Sequence, residues 1–131
     1  MIQKEVADRF LAKPSTKQYN SLTIFIDYYF QVNKLFLVSR NVFVPKPNVD
    51  SMVIELLKRK EPKVIVLNDN VFFNLIRDSF SFKRKTLKNN LINYNLKAIE
   101  EVLSKYNLDL TVRAEALSIE IFSDIANRLS Q

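Results

Sequence analysis

The sequence predicts an α/β region over residues 1–60, followed by a small all-α region over residues 61–131. Runs of apolar and β-branched residues with the length of strands lie in the first region. In the second region, apolar residues recur every three or four positions, which is typical of amphipathic helices. A polar stretch containing Pro62 separates the two patterns, and we interpret residues 58–63 as a linker.

The first region is predicted to contain two helices and two strands. In chain order they are a helix over 1–12, a helix over 21–30 capped by Ser21, a strand over 34–38 and a strand over 51–58, with an extended loop over 40–50 stiffened by Pro45 and Pro47. The aromatic and β-branched residues of 21–30 would equally allow a strand. The nearly all-apolar strand at 51–58 indicates burial on both faces within a larger sheet. We therefore expect this region to belong to a bigger domain, and the strand to expose apolar surface unless it is partnered.

The second region is predicted to contain four helices. Apolar residues lie at helical spacing over 71–80, 83–91 and 97–106, and the last helix begins at Ser118. Leu117 and Phe122 have the spacing of a hydrophobic staple around that position, which would fix how the chain enters the helix.

The composition excludes several kinds of site. The chain contains no Cys, His or Gly, so it has no disulfide, thiol nucleophile, imidazole catalyst or zinc site of the Cys/His type. A glycine-rich phosphate loop is equally excluded, and we expect neither a metal nor a cofactor to bind this chain. No apolar run approaches the length of a membrane span. The absence of Cys fits a reducing, cytoplasmic compartment.

The charge is distributed unevenly along the chain. The net charge is +6, with 20 Lys and Arg against 14 Asp and Glu. Residues 98–131 hold three basic and six acidic residues, a balance of −3, so residues 1–97 carry +9. A basic surface of this kind suits a polyanion such as nucleic acid, although solubility alone would also account for it.

Three segments are candidates for function. Phe43 is the one aromatic residue of the proline loop, and from the residues alone a place in the core is the more frequent role for such a side chain. Four cations gather at one predicted helix start, namely Lys83, Arg84, Lys85 and Lys88. Cations oppose the helix dipole there, so phosphate contact and a solvated face are equally compatible with the pattern. We interpret the third segment, residues 113–118, as a helix entry with an ion pair.

Five stretches together form a recognisable pattern. They are Gln3 to Arg9, Tyr19 to Tyr29, Val42 to Ser51, Ser79 to Leu91 and Arg113 to Ser118. In this order and spacing they resemble the C-terminal portion of the KsgA family, also called RsmA, of rRNA adenine dimethyltransferases. Erythromycin-resistance rRNA methyltransferases of the large subunit and mitochondrial transcription factor B have a similar fold and proline loop, and they are alternatives.

The resemblance implies a Rossmann-like methyltransferase domain, of which residues 1–60 would be the C-terminal part, and a helical, rRNA-contacting domain over 61–131. The family uses S-adenosylmethionine to methylate the exocyclic amines of two adjacent adenosines near the 3′ end of small-subunit rRNA. The donor's glycine-rich loop and the catalytic Asn-Leu-Pro-Tyr-like tetrapeptide would precede the first matching stretch, and both are absent here. We therefore expect Met1 to follow a truncation and this part to be inactive alone. The whole enzyme would be a monomer that takes part in maturation of the small ribosomal subunit.

The resemblance also implies roles for individual residues. Phe43 matches the aromatic residue that packs on the target base, and with this match function becomes its preferred role. The residues expected to contact rRNA are Lys83, Arg84, Lys85 and Lys88, which match the family's basic segment, together with Lys46 and Arg113.

The sequence departs from the family pattern at positions where relatives commonly have Gly. These positions are Ser15, Asn20 and Ala114. Ser and Ala tolerate positive φ poorly, so we expect the loops near residues 15 and 114 to differ in shape. The other function open to such a chain is a non-catalytic RNA-binding module in ribosome assembly.

Overall fold

The computed structural model describes residues 1–131 as six α-helices and one three-stranded sheet. In chain order the elements are β1 (Ile2–Gln3), α1 (Lys4–Phe10), α2 (Ser21–Tyr29), β2 (Phe30–Val38), β3 (Ser51–Lys58), α3 (Asp69–Ser79), α4 (Leu87–Asn90), α5 (Leu96–Ser104) and α6 (Ile119–Leu129). Short 3-10 turns lie at Arg40–Val42 and Ala114–Ala116. None of the helices combines the length and apolar character that crossing a bilayer requires. The predicted fold class, an α/β part followed by helices, is confirmed.

The sheet is built around β3, which is its central strand. β3 pairs antiparallel with β2 from Lys58, opposite Phe30, to Ser51, opposite Val38, and a bulge interrupts this pairing between Lys34 and Phe36. At its start, β3 also pairs antiparallel with β1. The first residues of the chain and the loop between β2 and β3 therefore meet at the same end of the sheet.

The helix predicted over residues 1–12 is wrong at its beginning. Ile2 lies opposite Met52 and Gln3 opposite Ser51, so the first residues form a strand, and the helix runs only from Lys4 to Phe10. The free edge of β3 offers backbone hydrogen bonds to these residues, and no local pattern reveals that distant partner.

The helix predicted over residues 21–30 is confirmed, but its cap is Asn20 rather than Ser21. Asn20 Oδ1 accepts from the Thr23 backbone N–H, and Thr23 Oγ1 accepts from the Asn20 N–H, both at 3.2 Å. The chain then passes directly into β2 at Phe30, so the strand begins before the predicted Lys34. β2 is longer than predicted because its first residue, Phe30, already pairs with Lys58 of β3.

The helix predicted over residues 83–91 is wrong in its first half. Residues 81–85 form a turn, and α4 is a single turn of helix capped by Thr86. The backbone N–H groups of Leu87 and Lys88 donate to the carbonyls of Val112 and Leu110, at 2.8 and 3.1 Å. These donors bond to another part of the chain instead of to the carbonyls of the preceding turn.

The remaining helices agree closely with the prediction. α3 and α5 lie where the helical spacing indicated, and α6 begins after Ser118, whose Oγ accepts from the Ile121 N–H at 3.4 Å. Leu117 and Phe122 flank this cap and are both fully buried, as the staple spacing predicts.

The main core lies among the helices, and it extends back into the first region. Ile24 and Tyr28 of α2 belong to the same buried cluster as Phe72 of α3 and Phe122 of α6. Tyr28 Oη also donates to Asp69 Oδ1 at 3.1 Å, at the start of α3. α2 therefore packs with the helices that follow the linker, although it precedes that linker in the chain.

The sheet is much less covered than its sequence suggests. In β3 only Met52 is buried, while Leu56 and Leu57 are 43% and 46% exposed, so the predicted burial on both faces does not occur within these 131 residues. β1 pairs only with Ser51 and Met52, so at Leu56 and Leu57 β3 is paired with β2 along one edge alone. The apolar surface expected on an unpartnered strand is present at Leu56 and Leu57.

Of the three positions at which the resemblance implies Gly, one adopts the left-handed backbone. Ser15 has φ of 66°, and its N–H donates to the Glu115 carbonyl at 2.7 Å, which ties the loop after α1 to the loop before α6. Asn20 is extended and Ala114 lies in a 3-10 turn, so neither needs the freedom of glycine.

Candidate nucleic-acid interface

The proline loop between β2 and β3 is closed by Arg40. Its backbone N–H and its Nε donate to Asp50 Oδ1 at 2.9 and 3.1 Å, and its Nη1 donates to the Asn48 carbonyl at 2.7 Å. The backbone hydrogen bond, followed by the bond from the guanidinium, holds the pKa of Asp50 below its ordinary value. The carboxylate therefore stays charged at neutral pH and links the two ends of the loop.

Phe43 lies in this loop, outside the hydrophobic core. It follows the 3-10 turn, and its N–H donates to the Arg40 carbonyl at 3.4 Å. Its side chain is partly buried and pairs with no other aromatic ring. The core position that the residues alone favoured for Phe43 is therefore wrong, and the loop presents a partly exposed ring.

The first residues of the chain lie against this loop. The Lys4 N–H donates to the Asp50 carbonyl at 3.0 Å, and residues of β1, α1 and the loop line a cleft of about 220 Å³. In this cleft Asp8 pairs with Lys34 at 2.7 Å and with Lys4 at 3.1 Å. The hydrogen bond to Lys34 is the main cause that lowers the pKa of Asp8. β1 and the start of α1 therefore lie beside the loop that carries Phe43.

The basic segment, defined as Lys83, Arg84, Lys85 and Lys88, lies on the surface at and just before α4. All four side chains are exposed, and none forms an ion pair with a carboxylate. Three of them lie in the turn rather than in a helix, so the predicted helix start is corrected to a turn followed by Thr86. Their positive charge is not neutralised within the protein, and an anionic ligand can reach it.

Lys46 and Arg113 are also exposed cations without ion pairs. Lys46 lies in the proline loop, close in sequence to Phe43. The ion pair expected in residues 113–118 is absent, because neither Arg113 nor Glu115 has a charged partner. Arg113 instead precedes the 3-10 turn that leads to α6.

A second cleft, of about 270 Å³, connects the basic segment to the first region. It is lined by Lys83, by Arg9 at the end of α1 and by Lys17 in the loop before α2, with Glu115 as the one carboxylate. Sequence reasoning did not single out Arg9 or Lys17, because they are distant from Lys83 along the chain. Tertiary contacts, among them the packing of α2 against α3 and the Ser15–Glu115 hydrogen bond, bring these residues to one cleft. Phe43 lines neither cleft.

The side chains offer no metal centre. No cluster of three or more His, Cys, Asp and Glu side chains has the geometry to hold a metal ion. The chemically distinctive features are thus a partly exposed aromatic ring on a fixed loop and a set of unpaired cations.

A comparison with protein families decides which proteins share this arrangement. A model of the ribosomal RNA adenine dimethylases matches residues 1–131. The chain belongs to the ribosomal RNA adenine dimethylase family. The resemblance inferred from the five stretches is therefore confirmed.

Two curated relatives are named ribosomal RNA small subunit methyltransferase A. The protein of Bacillus pumilus is 49% identical over 137 residues, covering 100% of this chain and 47% of the relative. That of Geobacillus kaustophilus is 48% identical over 136 residues, covering 99% of this chain and 46% of the relative. This chain spans about half the length of the curated relatives it matches, and the matched part is their C-terminal portion.

Two solved structures share the fold. A dimethyladenosine transferase from Plasmodium falciparum superposes with a TM-score of 0.68 at 28% identity, over 94% of this chain and 53% of that one. The 23S rRNA methyltransferase ErmE superposes with a TM-score of 0.69 at 22% identity, over 98% of this chain and 52% of that one. The second likeness concerns the fold alone.

Proposed function

We propose that this chain is the RNA-contacting part of a cytoplasmic, S-adenosylmethionine-dependent rRNA adenine dimethyltransferase. The whole enzyme would methylate two adjacent adenosines near the 3′ end of small-subunit rRNA during maturation of the small ribosomal subunit. The observation that carries the proposal is the match over the full length of the chain to proteins named small subunit methyltransferase A. Residues 1–60 would complete a Rossmann-like methyltransferase domain, and residues 61–131 would form the rRNA-contacting domain.

The chemistry of methyl transfer suggests different roles for this chain and for the half of its relatives that it does not span. An adenine amine is a poor nucleophile because its lone pair is delocalised into the ring, so the base must leave its stack and be held against the methyl donor. Phe43 would pack on the extruded base, and stacking of this kind contributes about 1–3 kcal/mol. The proline loop supports this role, because Arg40 and Asp50 hold it closed while the Phe43 ring stays outside the hydrophobic core.

The exposed cations are the groups that would bind the RNA. The four members of the basic segment, with Lys46 and Arg113, would contact phosphates, since none of them is engaged by a carboxylate of the protein. Each phosphate that a cation neutralises releases counterions, so binding should weaken steeply as salt concentration rises.

The first test compares two pairs of lysines in the 131-residue chain. Replacement of Lys83 and Lys85 by Gln should weaken binding to an rRNA fragment and reduce the slope of log affinity against log salt by about 1.4–1.8. Replacement of Lys97 and Lys105 by Gln removes the same charge from unpaired lysines at α5 and should have a smaller effect. Equal losses in the two double variants would contradict a localised interface.

The second test concerns Phe43 in a full-length enzyme. Phe43→Ala should abolish methylation while RNA binding persists, because the ring acts on the extruded base and not on the phosphates. Unchanged turnover would refute the stacking role. Mapping the methylated nucleotides in the same assay separates small-subunit rRNA from large-subunit rRNA as the substrate.

The third test concerns the methyl donor. We expect no binding of S-adenosylmethionine to the 131-residue chain in isothermal titration calorimetry, because the chain has no Gly for a donor loop. Tight binding of the donor would contradict the division proposed here. The same lack of glycine favours a second candidate, a non-catalytic RNA-binding module in ribosome assembly, for the chain taken by itself.

A further inference from the structure

The turn that carries the basic segment also carries an exposed aromatic ring. Phe82 is 67% exposed and pairs with no other ring. Phe80, two positions earlier, packs inward with its ring centroid 6.3 Å from that of Tyr19 and 5.9 Å from that of Phe122. The chain therefore anchors one aromatic ring in the core and leaves the next one in solvent.

The backbone of this turn is held in place by several hydrogen bonds. The Phe82 carbonyl accepts from the Lys85 N–H at 3.0 Å and from Asn90 Nδ2 at 3.1 Å. Asn90 Nδ2 also donates to the Ser79 carbonyl at 2.8 Å, and Ser81 Oγ donates to the Arg77 carbonyl at 3.2 Å. The backbone that carries Phe82 is thus held in place before any ligand arrives, which reduces the entropy lost in ordering this turn on binding.

The surroundings of Phe82 distinguish it from an ordinary exposed apolar residue. A single exposed phenylalanine needs no explanation by itself. Here the ring is followed directly by Lys83, Arg84 and Lys85, all exposed and without ion pairs. An apolar plane adjacent to three free positive charges matches a ligand that combines a flat ring with phosphates.

An unpaired nucleotide combines these two groups in an accessible form. In single-stranded RNA the face of the base is available for stacking on an aromatic side chain, while the phosphates remain open to cations. In a continuous duplex the base faces are covered by their neighbours, so the cations would find phosphates but the ring would find no base. An acidic protein partner would satisfy the cations but has no general need for an aromatic plane.

We propose that Phe82 is a stacking platform for an unpaired nucleobase of the RNA whose phosphates the basic segment holds. This inference rests on the proposed function and names the kind of RNA that the basic segment recognises. The site is separate from Phe43, which would contact the target adenine from the proline loop. Because every base has a flat face, the platform selects unpaired RNA without selecting one sequence.

The test uses the 131-residue chain and two RNA probes, a single-stranded oligonucleotide and a blunt duplex of equal length. Phe82→Leu keeps an apolar side chain but removes the flat ring, and it should weaken binding to the single strand by about tenfold. Binding to the duplex and the salt dependence should not change. Phe82→Trp should retain or strengthen binding to the single strand. Ile92→Ala is the matched control, because Ile92 is 58% exposed and lies just after α4.

A fluorescent base gives a direct readout. A 2-aminopurine in the single strand should lose fluorescence when it stacks on Phe82, and this change should be absent with Phe82→Leu. Thermal melting should be the same for all variants, since both substituted positions are exposed.

The outcomes separate this inference from the proposed function. If Phe82→Leu binds the single strand as tightly as the wild type, while Lys83→Gln with Lys85→Gln weakens binding, the stacking role is overturned and the RNA interface stands. Equal losses on single strand and duplex would also overturn it. If neither the cation variants nor the Phe82 variant weakens RNA binding, the proposed function fails as well.

Discussion

The two regions of the chain differ in how completely they bury their apolar residues. Of the 24 buried residues, 18 lie beyond residue 60, and they include every fully buried phenylalanine and leucine. In the sheet, by contrast, Leu35, Phe36 and Leu37 of β2 are each more than half exposed. The helical region, together with α2, forms a closed core, whereas the sheet has the composition of a buried element without the layers that would cover it.

The comparison shows where this molecule is divided. The linker in the sequence follows β3, but the packing boundary lies earlier, because α2 contributes Ile24 and Tyr28 to the core of the helical region. The linker itself is attached to α2: Arg59 Nη2 and Lys63 Nζ lie 2.9 and 3.1 Å from the carboxylate of Asp27. The sheet is therefore joined to the helices through α2 and a held linker.

The largest expected effect comes from removing matched phenylalanines in the two regions. Phe122→Ala in the helical core should lower the free energy of unfolding by about 3–5 kcal/mol, because a fully buried ring is replaced by a cavity. Phe36→Ala in β2 should lower it by less than about 1 kcal/mol, because that ring is 58% exposed. Urea denaturation of the two variants measures both values. Similar losses would mean that the sheet is covered in solution, for example by a second copy of the chain.

An intermediate effect should appear in alkaline solution at the contact between the two regions. Burial, followed by the hydrogen bond to Asp69, raises the pKa of Tyr28 to about 12, from an ordinary value of 10.0. The folded state therefore holds this proton more tightly than the unfolded state. The resulting stability is complete below pH 10.0 and is lost as the pH rises towards 12.

Tyr28→Phe isolates this contribution. At neutral pH the variant should lose about 1 kcal/mol with the hydrogen bond to Asp69. Above pH 10.0 its stability should fall less steeply than that of the wild type, because its phenyl ring cannot ionise. Parallel stability curves for the two proteins, measured by urea denaturation from pH 8 to 11.5, would contradict the role of Tyr28.

A smaller effect is expected at the linker. Asp27→Asn removes the charge that holds Arg59 and Lys63, and it should cost about 1 kcal/mol, since the pairs are partly exposed and screened by solvent. Proteolysis between residues 59 and 68 should become faster, because the linker would detach from α2. An unchanged cleavage rate would show that other contacts suffice to hold the linker.

The smallest effect is expected at the exposed ion pair between α5 and α6. Arg128 Nη2 lies 2.9 Å from Glu101 Oε2, with the two side chains 43% and 49% exposed. Glu101→Gln should change the free energy of unfolding by less than about 0.5 kcal/mol in the same urea assay. This variant also serves as the control for Asp27→Asn, because it removes one carboxylate without releasing the linker.

Most helices and β3 could be predicted because the residue patterns that indicate them lie within each element. The spacing of apolar residues predicted α3, α5 and α6, and the staple around Ser118 located the start of the last helix. The nearly apolar run at 51–58 indicated β3 together with its need for cover. Residues 79–91 carry both a family signature and the four cations of the basic segment, but the sequence predicted a helix over 83–91 where the structure has a turn followed by α4.

Only the tertiary structure decided the elements that depend on hydrogen bonds to residues distant in the chain. The sequence by itself determined the family, the order of elements and the excess of positive charge, because these are properties of residue type and spacing. The strand at Ile2–Gln3 exists because β3 offers it hydrogen bonds, and the turn at 81–85 exists because α4 is bonded to residues 110–112. The same turn directs Phe80 into the core and leaves Phe82 in solvent. The two side chains are identical, so residue type alone could not predict which of them would be buried.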